Sequence, residues 1–461
     1  MDPRRERGEA LRPTGPLIWL TTDSCHMTRL SVIGSGYVGT TIAACFAEFG
    51  HEVVNVDIDQ EIVDTINDGT APIHEDGLAE LVAEHAGPNS TGRLEATTDY
   101  EAVLDTDVTF LCLPTPQNDD GSIDLSIMEA AADQLGATLA AKDAWHTAIV
   151  KSTVVPGSTE EEITPILETA SGNTAGDEFG VGMNPEFLRE GTAVHDFLDP
   201  NKVVLGADDD RALEDMYSVF DPLIDRSNAP VVETDTRTAE MIKYANNSFL
   251  AAKISLINDI GNICKEFGID AYEVADAIAL DDRIGEQFLR SGVGWGGSCF
   301  PKDTAAIRAA ARNKDYEPAM LDAATEVNNR QPDRLLSLMD DHVDVAGKQV
   351  AVLGLAFKPG TDDIRNSRAI PVIEGLQARG AEIVAYDPVA IENMRERFPD
   401  IEYADTPAAA LSETAAALVV TDWEEITALD DEFDAMSTPV VVDGRQAINR
   451  RDGIVYEGLT W

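Results

Sequence analysis

The chain has 461 residues, 44% of them hydrophobic and 26% charged, which is the composition of a globular protein with two or three domains. Its 84 acidic residues outnumber 34 basic ones and give a formal charge of -50, so its surface repels nucleic acids and anionic membranes. This charge predicts a cytoplasmic protein adapted to high salt, where self-repulsion is screened. A general acidic bias without salt adaptation is the alternative.

The N-terminal segment, residues 1–26, contains arginines but too short an apolar run for the core of a signal peptide. Met27 directly precedes the first predicted strand, so we interpret residues 1–26 as a disordered extension or the result of a misassigned start codon. No apolar run in the sequence approaches the roughly 20 residues that a membrane helix needs.

A glycine motif, G-x-G-x-x-G, follows the apolar run LSVI and precedes a predicted helix; it consists of Gly34, Gly36 and Gly39, and Asp57 ends the next strand. In this context the motif predicts a dinucleotide site, because the glycines allow a tight turn, close approach to a pyrophosphate and close helix packing. An aspartate beside the ribose disfavours a 2′-phosphate, so NAD is predicted rather than NADP. The alternative is a βαβ unit whose glycines serve packing alone.

Two further strands are predicted over residues 107–114 and 146–153, each followed by a loop. Strands that alternate with helical segments form a doubly wound parallel sheet, and its ligands lie beyond the carboxyl ends of the strands. The loops at 114–116 and 151–153 fall at such ends, so they are candidate site segments, although either tripeptide is also an ordinary loop.

A long helix is predicted over residues 234–267, where apolar residues recur at steps of three and four. Such a helix is about 45 Å long and is suited to join domains and to carry a dimer interface. Lys243 and Asn247 lie four residues apart and therefore on one face of it. A pair of this kind is usually just solvated.

The stretch GWGGSCFPKD, residues 294–303, places Cys299 after several glycines and shortly before Lys302 and Asp303. The glycines leave the thiol accessible and the nearby ammonium favours the thiolate, which is unlike a structural cysteine in an apolar run. The cysteines show no C-x-x-C spacing, so no disulfide framework and no metal site is predicted; they are Cys25, Cys45, Cys112, Cys264 and Cys299.

The last third of the chain repeats the pattern of strand and glycine turn at residues 347–367 without the complete glycine motif. Further strands are predicted over 381–387, 415–423 and 439–445, which indicates a second α/β sheet. Its first loop presents Lys358 and Arg365, two basic groups suited to a phosphate or diphosphate.

A series of motifs resembles the UDP-glucose/GDP-mannose dehydrogenase family, and the haloarchaeal UDP-glucose 6-dehydrogenases above all. The match spans nearly all of residues 28–450, with the motifs in the family's order: GSGYVG (34–39), LPTP (113–116), KST (151–153), NPEFLREG (184–191), EMIKYANN (240–247), RIG (283–285), GGSCFPKD (296–303) and FKPGTDDIRNS (357–367). The resemblance implies an α/β fold with two Rossmann-like, doubly wound parallel-sheet domains joined by a long central helix in an all-α middle region. It divides the chain into an NAD-binding domain (27–228), a central helical dimerisation and catalytic region (229–329) and a nucleotide-sugar-binding domain (330–461).

The same resemblance implies an activity, the NAD-dependent four-electron oxidation of UDP-glucose at C6 to UDP-glucuronate, which supplies sugar acids for glycan synthesis. Cys299 matches the family nucleophile, whose thiolate attacks the aldehyde formed in the first oxidation and gives a thiohemiacetal. The second oxidation gives a thioester, which water cleaves to the acid. The resemblance also implies a homodimer formed through the central helix.

Five further positions match catalytic residues of the family. Lys243 and Asn247 match the pair that stabilises the developing oxyanion, and Asp303 matches the carboxylate that positions the hydrolytic water. Glu186 matches the acid/base glutamate, and Thr153 matches its water-bearing partner.

Binding residues are also carried over by the resemblance. Those expected to bind NAD are Gly34, Gly36, Tyr37, Val38, Gly39, Asp57, Thr115, Thr153, Glu190, Lys302 and Arg365. Those expected to bind the nucleotide sugar are Glu186, Phe187, Leu188, Arg189, Glu190, Lys243, Asn247, Arg283, Phe288, Leu289, Arg290, Ser291, Gly292, Gly296, Lys358 and Arg445. Among them, Arg283 is expected to reach across the dimer.

Departures from the family pattern leave alternatives open. Members usually carry lysine or arginine at the position of Ile62, so NAD affinity is expected to depend more on Asp57 and the glycine turn. Members that act on N-acetylated sugars more often read G-H-C-I at residues 297–300, and those that act on GDP-mannose often have leucine at the position of Phe300. GDP-mannose and UDP-N-acetylhexosamines remain the alternative substrates. A two-electron hydroxyacid dehydrogenase has no need for Cys299, and a non-catalytic NAD-binding assembly module is the alternative from another class.

Overall fold

The computed structural model describes residues 27–461; the segment 1–26, interpreted above as an extension, lies outside the described residues. Two α/β sheets, one in each half of the chain, flank a helical middle region. The fold class predicted from the sequence is therefore confirmed.

The first sheet has eight strands in the order β3-β2-β1-β4-β5-β6-β7-β8, and every pair is parallel except β6 with β7. This order places the crevice between β1 and β4, where the chain reverses its direction of winding. The strands are β1 (Arg29–Ile33), β2 (Glu52–Val56), β3 (Leu94–Thr97), β4 (Val108–Leu111), β5 (Thr147–Val150), β6 (Gly180–Met183), β7 (Val203–Ala207) and β8 (Val231–Thr234). The helices are α1 (Tyr37–Glu48), α2 (Gln60–Asn67), α3 (Leu78–His85), α4 (Ser126–Leu139), α5 (Thr164–Ser171), α6 (Ala193–Leu198) and α7 (Asp210–Ser227).

Continuous apolar strands form the centre of this sheet because helices cover both of its faces. Residues of β4 and β5 are buried without exception, and an aromatic cluster lies beneath them on one side. In that cluster the ring of Phe46 lies 5.0 Å from Phe110 and 5.2 Å from Phe197, which fixes α1 against the sheet. The start of α1, directly after the glycine turn, is thereby held at the carboxyl edge of β1.

The second sheet has six parallel strands in the order β11-β10-β9-β12-β13-β14. Its crevice lies between β9 and β12, where this order reverses. The strands are β9 (Gln349–Leu353), β10 (Glu382–Tyr386), β11 (Glu402–Tyr403), β12 (Ala416–Val419), β13 (Val440–Asp443) and β14 (Val455–Gly458). The helices are α12 (Ala369–Ala378), α13 (Ile391–Arg397), α14 (Pro407–Leu411) and α15 (Glu424–Thr427).

The middle region consists of four helices, α8 (Thr236–Glu266), α9 (Ala271–Ala279), α10 (Phe300–Asn313) and α11 (Ala319–Asp340). The longest, α8, begins at the N-cap Asp235, whose carboxylate accepts a hydrogen bond from the backbone N–H of Thr238. At 31 residues it is about 46 Å long. It packs against α10 and α11 and so holds all four helices beside both sheets. Within residues 27–461, no helix is long and apolar enough to cross a lipid bilayer.

Candidate active site

The glycine turn after β1 has the geometry of a phosphate cradle. Gly34 has a φ of +97°, and a Cβ there would lie 2.4 Å from the carbonyl oxygen of Cys112, so only glycine fits. A Cβ on Gly39 would lie 1.8 Å from the carbonyl oxygen of Gly34. At Gly36, by contrast, a Cβ would meet no atom within 4 Å. The turn is therefore tightly packed at its two outer glycines and open at the middle one, which is where a pyrophosphate needs to approach the backbone.

Asp57 lies beside this turn at the carboxyl end of β2. One of its oxygens accepts a hydrogen bond of 2.6 Å from the backbone N–H of Ser35, and the other accepts one of 3.0 Å from Asp59. The side chain is only partly buried, so acceptor positions remain open toward solvent, where ribose hydroxyls could donate. Ile62, on the next helix, is half-buried against the apolar core of this domain.

Tyr37 and Val38, both predicted to bind the cofactor, have different surroundings. The hydroxyl of Tyr37 donates a hydrogen bond of 2.9 Å to the carbonyl of Arg189 and so joins the start of α1 to the loop after β6. Val38 packs against the core of the first domain. The structure thus gives both residues a part in shaping the glycine turn.

The second sheet has an aspartate at the corresponding strand end, and it is not equivalent to Asp57. Asp387 is buried, and its two oxygens accept five hydrogen bonds, from the backbone N–H groups of Leu355, Ala356, Val389 and Ala390 and from the indole of Trp423. Its lone pairs are therefore used within the domain. This distinguishes the two sheets: the first has an open aspartate for a ribose, and the second does not.

A buried ion pair lies between the two domains at the centre of the site. The ammonium of Lys243 donates hydrogen bonds of 2.7 Å to the side-chain carboxylate and to the backbone carbonyl of Glu186. Burial raises the pKa of Glu186, but the Lys243 ammonium more than offsets burial and holds that pKa below its usual range. Burial lowers the pKa of Lys243, and the carboxylates of Glu186 and Asp303 reverse this, so its pKa lies above the usual range. Both groups are therefore charged at neutral pH.

A second pair joins α8 to α10, one turn along α8 from Lys243. The side-chain amide of Asn247 donates a hydrogen bond of 2.7 Å to one carboxylate oxygen of Asp303, which is 1% exposed. The other oxygen lies 3.0 Å from the ammonium of Lys302. Lys302 also donates to the hydroxyl of Thr115 at 3.5 Å, and that hydroxyl donates to the carbonyl of Thr153 at 3.0 Å. The loops after β4 and β5 are thus connected to the start of α10.

Cys299 is the N-cap residue of α10 and is exposed. Its sulfur lies 3.6 Å from the hydroxyl of Ser298. Removal from bulk water raises the pKa of the thiol, the Glu186 carboxylate raises it further, and Lys243 opposes both. The ammonium that favours the thiolate is that of Lys243, whereas the ammonium of Lys302 lies 3.0 Å from a carboxylate oxygen of Asp303.

The loop after β6 contacts the α/β domain that contains the second sheet. The ammonium of Lys358 donates a hydrogen bond to the backbone carbonyl of Glu190, and the hydroxyl of Thr361 donates one to the Glu190 carboxylate. Arg365 lies 4.0 Å from that carboxylate and 2.6 Å from Asp363, with which it pairs more closely. The predicted cofactor and substrate contacts Glu190, Lys358 and Arg365 are therefore together at the boundary of the two α/β domains.

The predicted sugar-nucleotide loop comprises residues 288–292 and Gly296, and residues 293–295 connect the two parts. Phe288 has a φ of +62° and is partly exposed, whereas Leu289 is buried. Arg290 forms an ion pair of 2.8 Å with Asp276 at the surface. A left-handed conformation at a phenylalanine is strained, and such strain concentrates where a loop is shaped for a ligand.

The remainder of this loop is anchored to the second domain and to α8. The hydroxyls of Ser291 and Thr460 lie 2.6 Å apart, and the backbone N–H of Gly292 donates a hydrogen bond of 2.8 Å to the side chain of Asn258. A Cβ on Gly296 would lie 2.3 Å from the carbonyl oxygen of Asn366. The loop therefore passes so close to the second sheet that a side chain at position 296 has no space.

Several predicted residues lie at the edge of this group or outside it. Arg283 is exposed and pairs with Asp281 at 2.6 Å, and Arg189 is exposed and pairs with Asp196 at 2.6 Å. The others have defined contacts: the backbone N–H of Leu188 donates to Glu186 at 2.7 Å, the ring of Phe187 lies 4.0 Å from the ammonium of Lys202, and Arg445 donates to the carbonyl of Val420 at 2.8 Å.

Two buried glutamates that organise the site, Glu75 and Glu240, were not predicted, whereas the buried Lys151 lies in the candidate segment 151–153. Glu75 accepts hydrogen bonds from two backbone N–H groups of the loop after β6, and Glu240 accepts two from residues 157 and 159, just after β5. Lys151 donates to Asn184 at 2.7 Å, and burial lowers the pKa of Lys151 to about 8. A charged residue within an apolar stretch is the available sequence signal for such groups, since it has to find a partner when buried.

Comparison with known proteins agrees with this geometry over almost the whole chain. Models of the UDP-glucose/GDP-mannose dehydrogenase family match in three consecutive parts: the NAD-binding domain at residues 28–224, the central domain at 237–330 and the UDP-binding domain at 351–450. The chain belongs to this family. It is an NAD-dependent nucleotide-sugar dehydrogenase.

Individual relatives are similar over their full length. The UDP-glucose 6-dehydrogenase AglM of Haloferax volcanii is 63% identical over 432 residues, which is 94% of this chain and 100% of the relative. A UDP-glucose 6-dehydrogenase of Rhizobium meliloti is 41% identical, covering 94% of this chain and 98% of the relative. The solved structure of a UDP-glucose dehydrogenase from the hyperthermophilic archaeon Pyrobaculum islandicum superposes with a TM-score of 0.87 at 40% identity, covering 96% of this chain and 100% of that one.

Proposed function

We propose that the protein oxidises UDP-glucose at C6 to UDP-glucuronate in two consecutive two-electron steps at one active site. The observation that carries the proposal is the position of Cys299, whose thiol is exposed beside the buried pairs Lys243–Glu186 and Asn247–Asp303. A two-electron alcohol dehydrogenase needs no such thiol. The relatives named above, at 63% and 41% identity, favour UDP-glucose as the substrate.

The residues of the first domain fit NAD. The open space at Gly36, the N-terminus of α1 and the partly exposed carboxylate of Asp57 lie together at the carboxyl edge of β1 and β2, where a pyrophosphate and a ribose can bind. When bound, NAD accepts a hydride from C6 in each oxidation. The chain's own part is to hold the sugar, move protons and form the covalent intermediate.

In the covalent step, the Cys299 thiolate attacks the C6 aldehyde and a negative charge develops on the aldehyde oxygen. Lys243 uses two of its three N–H bonds on Glu186, and Asn247 uses one of its two on Asp303. Each residue therefore has an N–H left to donate to that oxygen. Because Glu186 and Asp303 hold both donors in place, they need little rearrangement as the charge forms.

Hydrolysis completes the reaction. After the second oxidation the sugar is held as a thioester of Cys299, and a water has to attack its carbonyl carbon. Asp303 is suited to orient and deprotonate that water, because it lies one helical turn after Cys299 and its backbone N–H donates a hydrogen bond of 2.8 Å to the Cys299 carbonyl. The water's oxygen becomes part of the carboxylate, and the Cys299 thiol is released.

The number of NADH molecules formed per sugar separates the candidate functions. Purified protein is incubated in concentrated KCl with excess NAD and limiting sugar, in a panel of UDP-glucose, GDP-mannose and UDP-N-acetylhexosamines. We expect two NADH per UDP-glucose and the corresponding uronate. Two NADH per GDP-mannose or per N-acetylhexosamine identifies an alternative substrate, one NADH indicates a two-electron dehydrogenase, and none indicates a non-catalytic NAD-binding module.

We also propose that the protein forms a homodimer through α8. Three large apolar side chains at seven-residue spacing are exposed on this helix, Phe249 at 72%, Leu256 at 59% and Ile263 at 52%, with Phe267 following at 76%. Seven-residue spacing places them on one stripe, as in helices that pack against a second helix. A stripe of this size facing water is unfavourable in a monomer and is expected to be covered by the same stripe of a second copy.

Sedimentation analysis tests the dimer. Phe249→Asp is expected to yield monomers, whereas Met320→Asp, an exposed apolar residue at the start of α11, serves as the matched control and should leave the dimer intact. A monomeric wild type would refute the proposal. For the site of action we propose the cytoplasm, where NAD and nucleotide sugars are both available, and a role in supplying uronic acids for glycan synthesis.

A further inference from the structure

Two arginines of the second domain lie side by side without an acidic partner. Arg445 follows β13, and Arg368 is the N-cap residue of α12. Within residues 27–461 the hydrogen bonds of both guanidiniums go to backbone carbonyls, those of Val420 and Gly294 for Arg445 and that of Asn328 for Arg368, although the chain has 84 acidic residues against 34 basic ones. The acidic charges that act on Arg445 are those of Asp422 and Asp443. In so acidic a protein, the lack of pairing at two adjacent cations requires an explanation.

The surroundings of Arg368 make its position costly in the absence of a ligand. Its Nε is buried and has no hydrogen-bond partner, and its one acceptor contact is a long one of 3.5 Å to the carbonyl of Asn328. Burial, and then the charge of Arg445, lower the pKa of Arg368 to about 10. The N-terminus of α12 adds a further partial positive charge at the same place. Two guanidiniums and a helix N-terminus therefore bring positive potential to one place, and the charges of Asp422 and Asp443 offset that of Arg445 only in part.

Both guanidiniums border the predicted sugar-nucleotide loop. Arg445 donates to the carbonyl of Gly294 at 3.3 Å, and its Nη1 lies 3.3 Å from the position of a Cβ on Gly292. The Cδ of Arg368 lies 3.3 Å from the position of a Cβ on Gly294. All of this is at the carboxyl edge of the second sheet, near the crevice between β9 and β12, where ligands of such sheets bind.

We propose that Arg368 is a substrate-binding residue that, together with Arg445, binds the diphosphate of the nucleotide sugar. The inference rests on the proposed function, since it assumes a nucleotide-diphosphate ligand, and it assigns a role to a residue outside the predicted site. Among the described residues, the terminal nitrogens of Arg368 make only the long contact to Asn328, so they can donate to the oxygens of a diphosphate, whose charge compensates both guanidiniums. Arg365, three residues earlier, differs because its guanidinium is already paired with Asp363.

The test compares UDP with uridine in equilibrium binding to the full chain at a fixed, high KCl concentration. Arg368→Leu removes the charge, and Arg368→Gln is the second variant in case the first does not fold. Arg334→Leu is the matched control: its Nε is also buried without a partner, but its guanidinium pairs with Glu266 at 2.8 Å, next to α8. NAD binding, which occurs on the first domain, reports correct folding in every variant.

We expect Arg368→Leu to weaken UDP binding about tenfold or more while uridine and NAD binding stay unchanged, which is the loss of one charge-assisted contact. In turnover, KM for the nucleotide sugar should rise and kcat should change little. Arg334→Leu should leave UDP binding unchanged. Equal losses for UDP and uridine, or no loss for UDP, would overturn the proposal and leave the proposed function standing. A wild-type protein that binds no UDP would overturn both.

Discussion

Removing the positive end of the buried ion pair, with Lys243→Met, should destabilise the first domain as well as abolish activity. At the observed 2.7 Å between the Lys243 ammonium and the Glu186 carboxylate, the attraction is about 6 kcal/mol at an effective dielectric constant of 20. Much of this attraction only compensates the free-energy cost of removing both charges from water. Breaking such a pair by removing one partner nevertheless costs about 3–5 kcal/mol, because the other charge stays buried and alone.

The double variant separates this pairing from ordinary packing. Glu186→Gln alone leaves the ammonium unpaired, so it should also be destabilising, whereas Lys243→Met with Glu186→Gln removes both charges. We expect the double variant to be less destabilised than the sum of the two single variants, with a coupling energy of about 2–3 kcal/mol. The control is an exposed pair on the same helix: Arg237 is bound to Glu160 at 2.8 Å, and changing Arg237 to Met should leave the stability nearly unchanged.

The pH dependence of stability should change in direction. In the wild type, Lys243 holds the pKa of Glu186 in the folded protein below its value in the unfolded chain. The ionised Glu186 therefore stabilises the folded state at pH values above the unfolded-state pKa, and this stabilisation is lost as the pH falls through the folded-state pKa. In Lys243→Met, burial dominates and raises the folded pKa of Glu186, with Lys151 opposing it only in part. The variant should therefore be most stable in acid and lose stability as the pH rises through that raised pKa.

Hydrogen exchange of the amides in β5 and β6, read by mass spectrometry at fixed KCl concentration, measures the stability of this part of the chain directly. Local measurement is preferable because a protein of several domains does not unfold in two states. Additive losses in the double variant, or a Lys243→Met protein as protected as the wild type, would refute the reasoning.

Four further outcomes are expected. Cys299→Ala should bind NAD normally, since the cofactor site lies on the first domain, but form no uronate; two NADH per sugar from this variant would exclude the thioester route. Gly36→Ala should fold normally but bind NAD weakly, because its Cβ would occupy the open space where the pyrophosphate approaches. Gly39→Ala should fail to fold, because its Cβ would overlap the carbonyl of Gly34. Circular dichroism and NAD titration distinguish the two outcomes. Asp57→Asn should weaken NAD binding and narrow the preference over NADP, as titration with both cofactors would show. Because the pKa of the Cys299 thiol is raised by partial removal from water and by the Glu186 carboxylate, formation of the acid should accelerate as the pH rises through the alkaline range, and a rate that is flat from pH 7 to 10 would contradict this.

The sequence was sufficient for those features that depend on local spacing. The glycine turn and Asp57 follow from the order strand, turn, helix and strand, and Cys299, Lys302 and Asp303 are adjacent in the chain. The face shared by Lys243 and Asn247 follows from helical periodicity. Their burial does not, because periodicity says which residues share a face but not which element covers it.

Other features depend on contacts between distant parts of the chain. Cys299 illustrates the point: Lys302 is near it in sequence, but the charges that act on its sulfur come from Glu186 and Lys243, on the loop after β6 and on α8. Arg368 has no motif of its own. Only the folded chain shows that it lies beside Arg445 and Gly294.

Salt affects exposed and buried cations differently, and this has a consequence for how the protein binds an anionic substrate. At molar salt the Debye length falls to about 3 Å, so exposed charges such as Arg283, which is on the surface, lose most of their attraction for a phosphate. A buried guanidinium is screened far less, because ions do not enter its surroundings. In a protein adapted to high salt, binding of a diphosphate should therefore depend mainly on cations that are at least half-buried, such as Arg368 and Arg445, while the acidic surface keeps the chain soluble. If the half-buried cations bind the diphosphate and the acidic surface serves solubility, the substrate KM of the wild type should change little between low and high KCl. Arg368→Leu should have a larger KM than the wild type at every salt concentration.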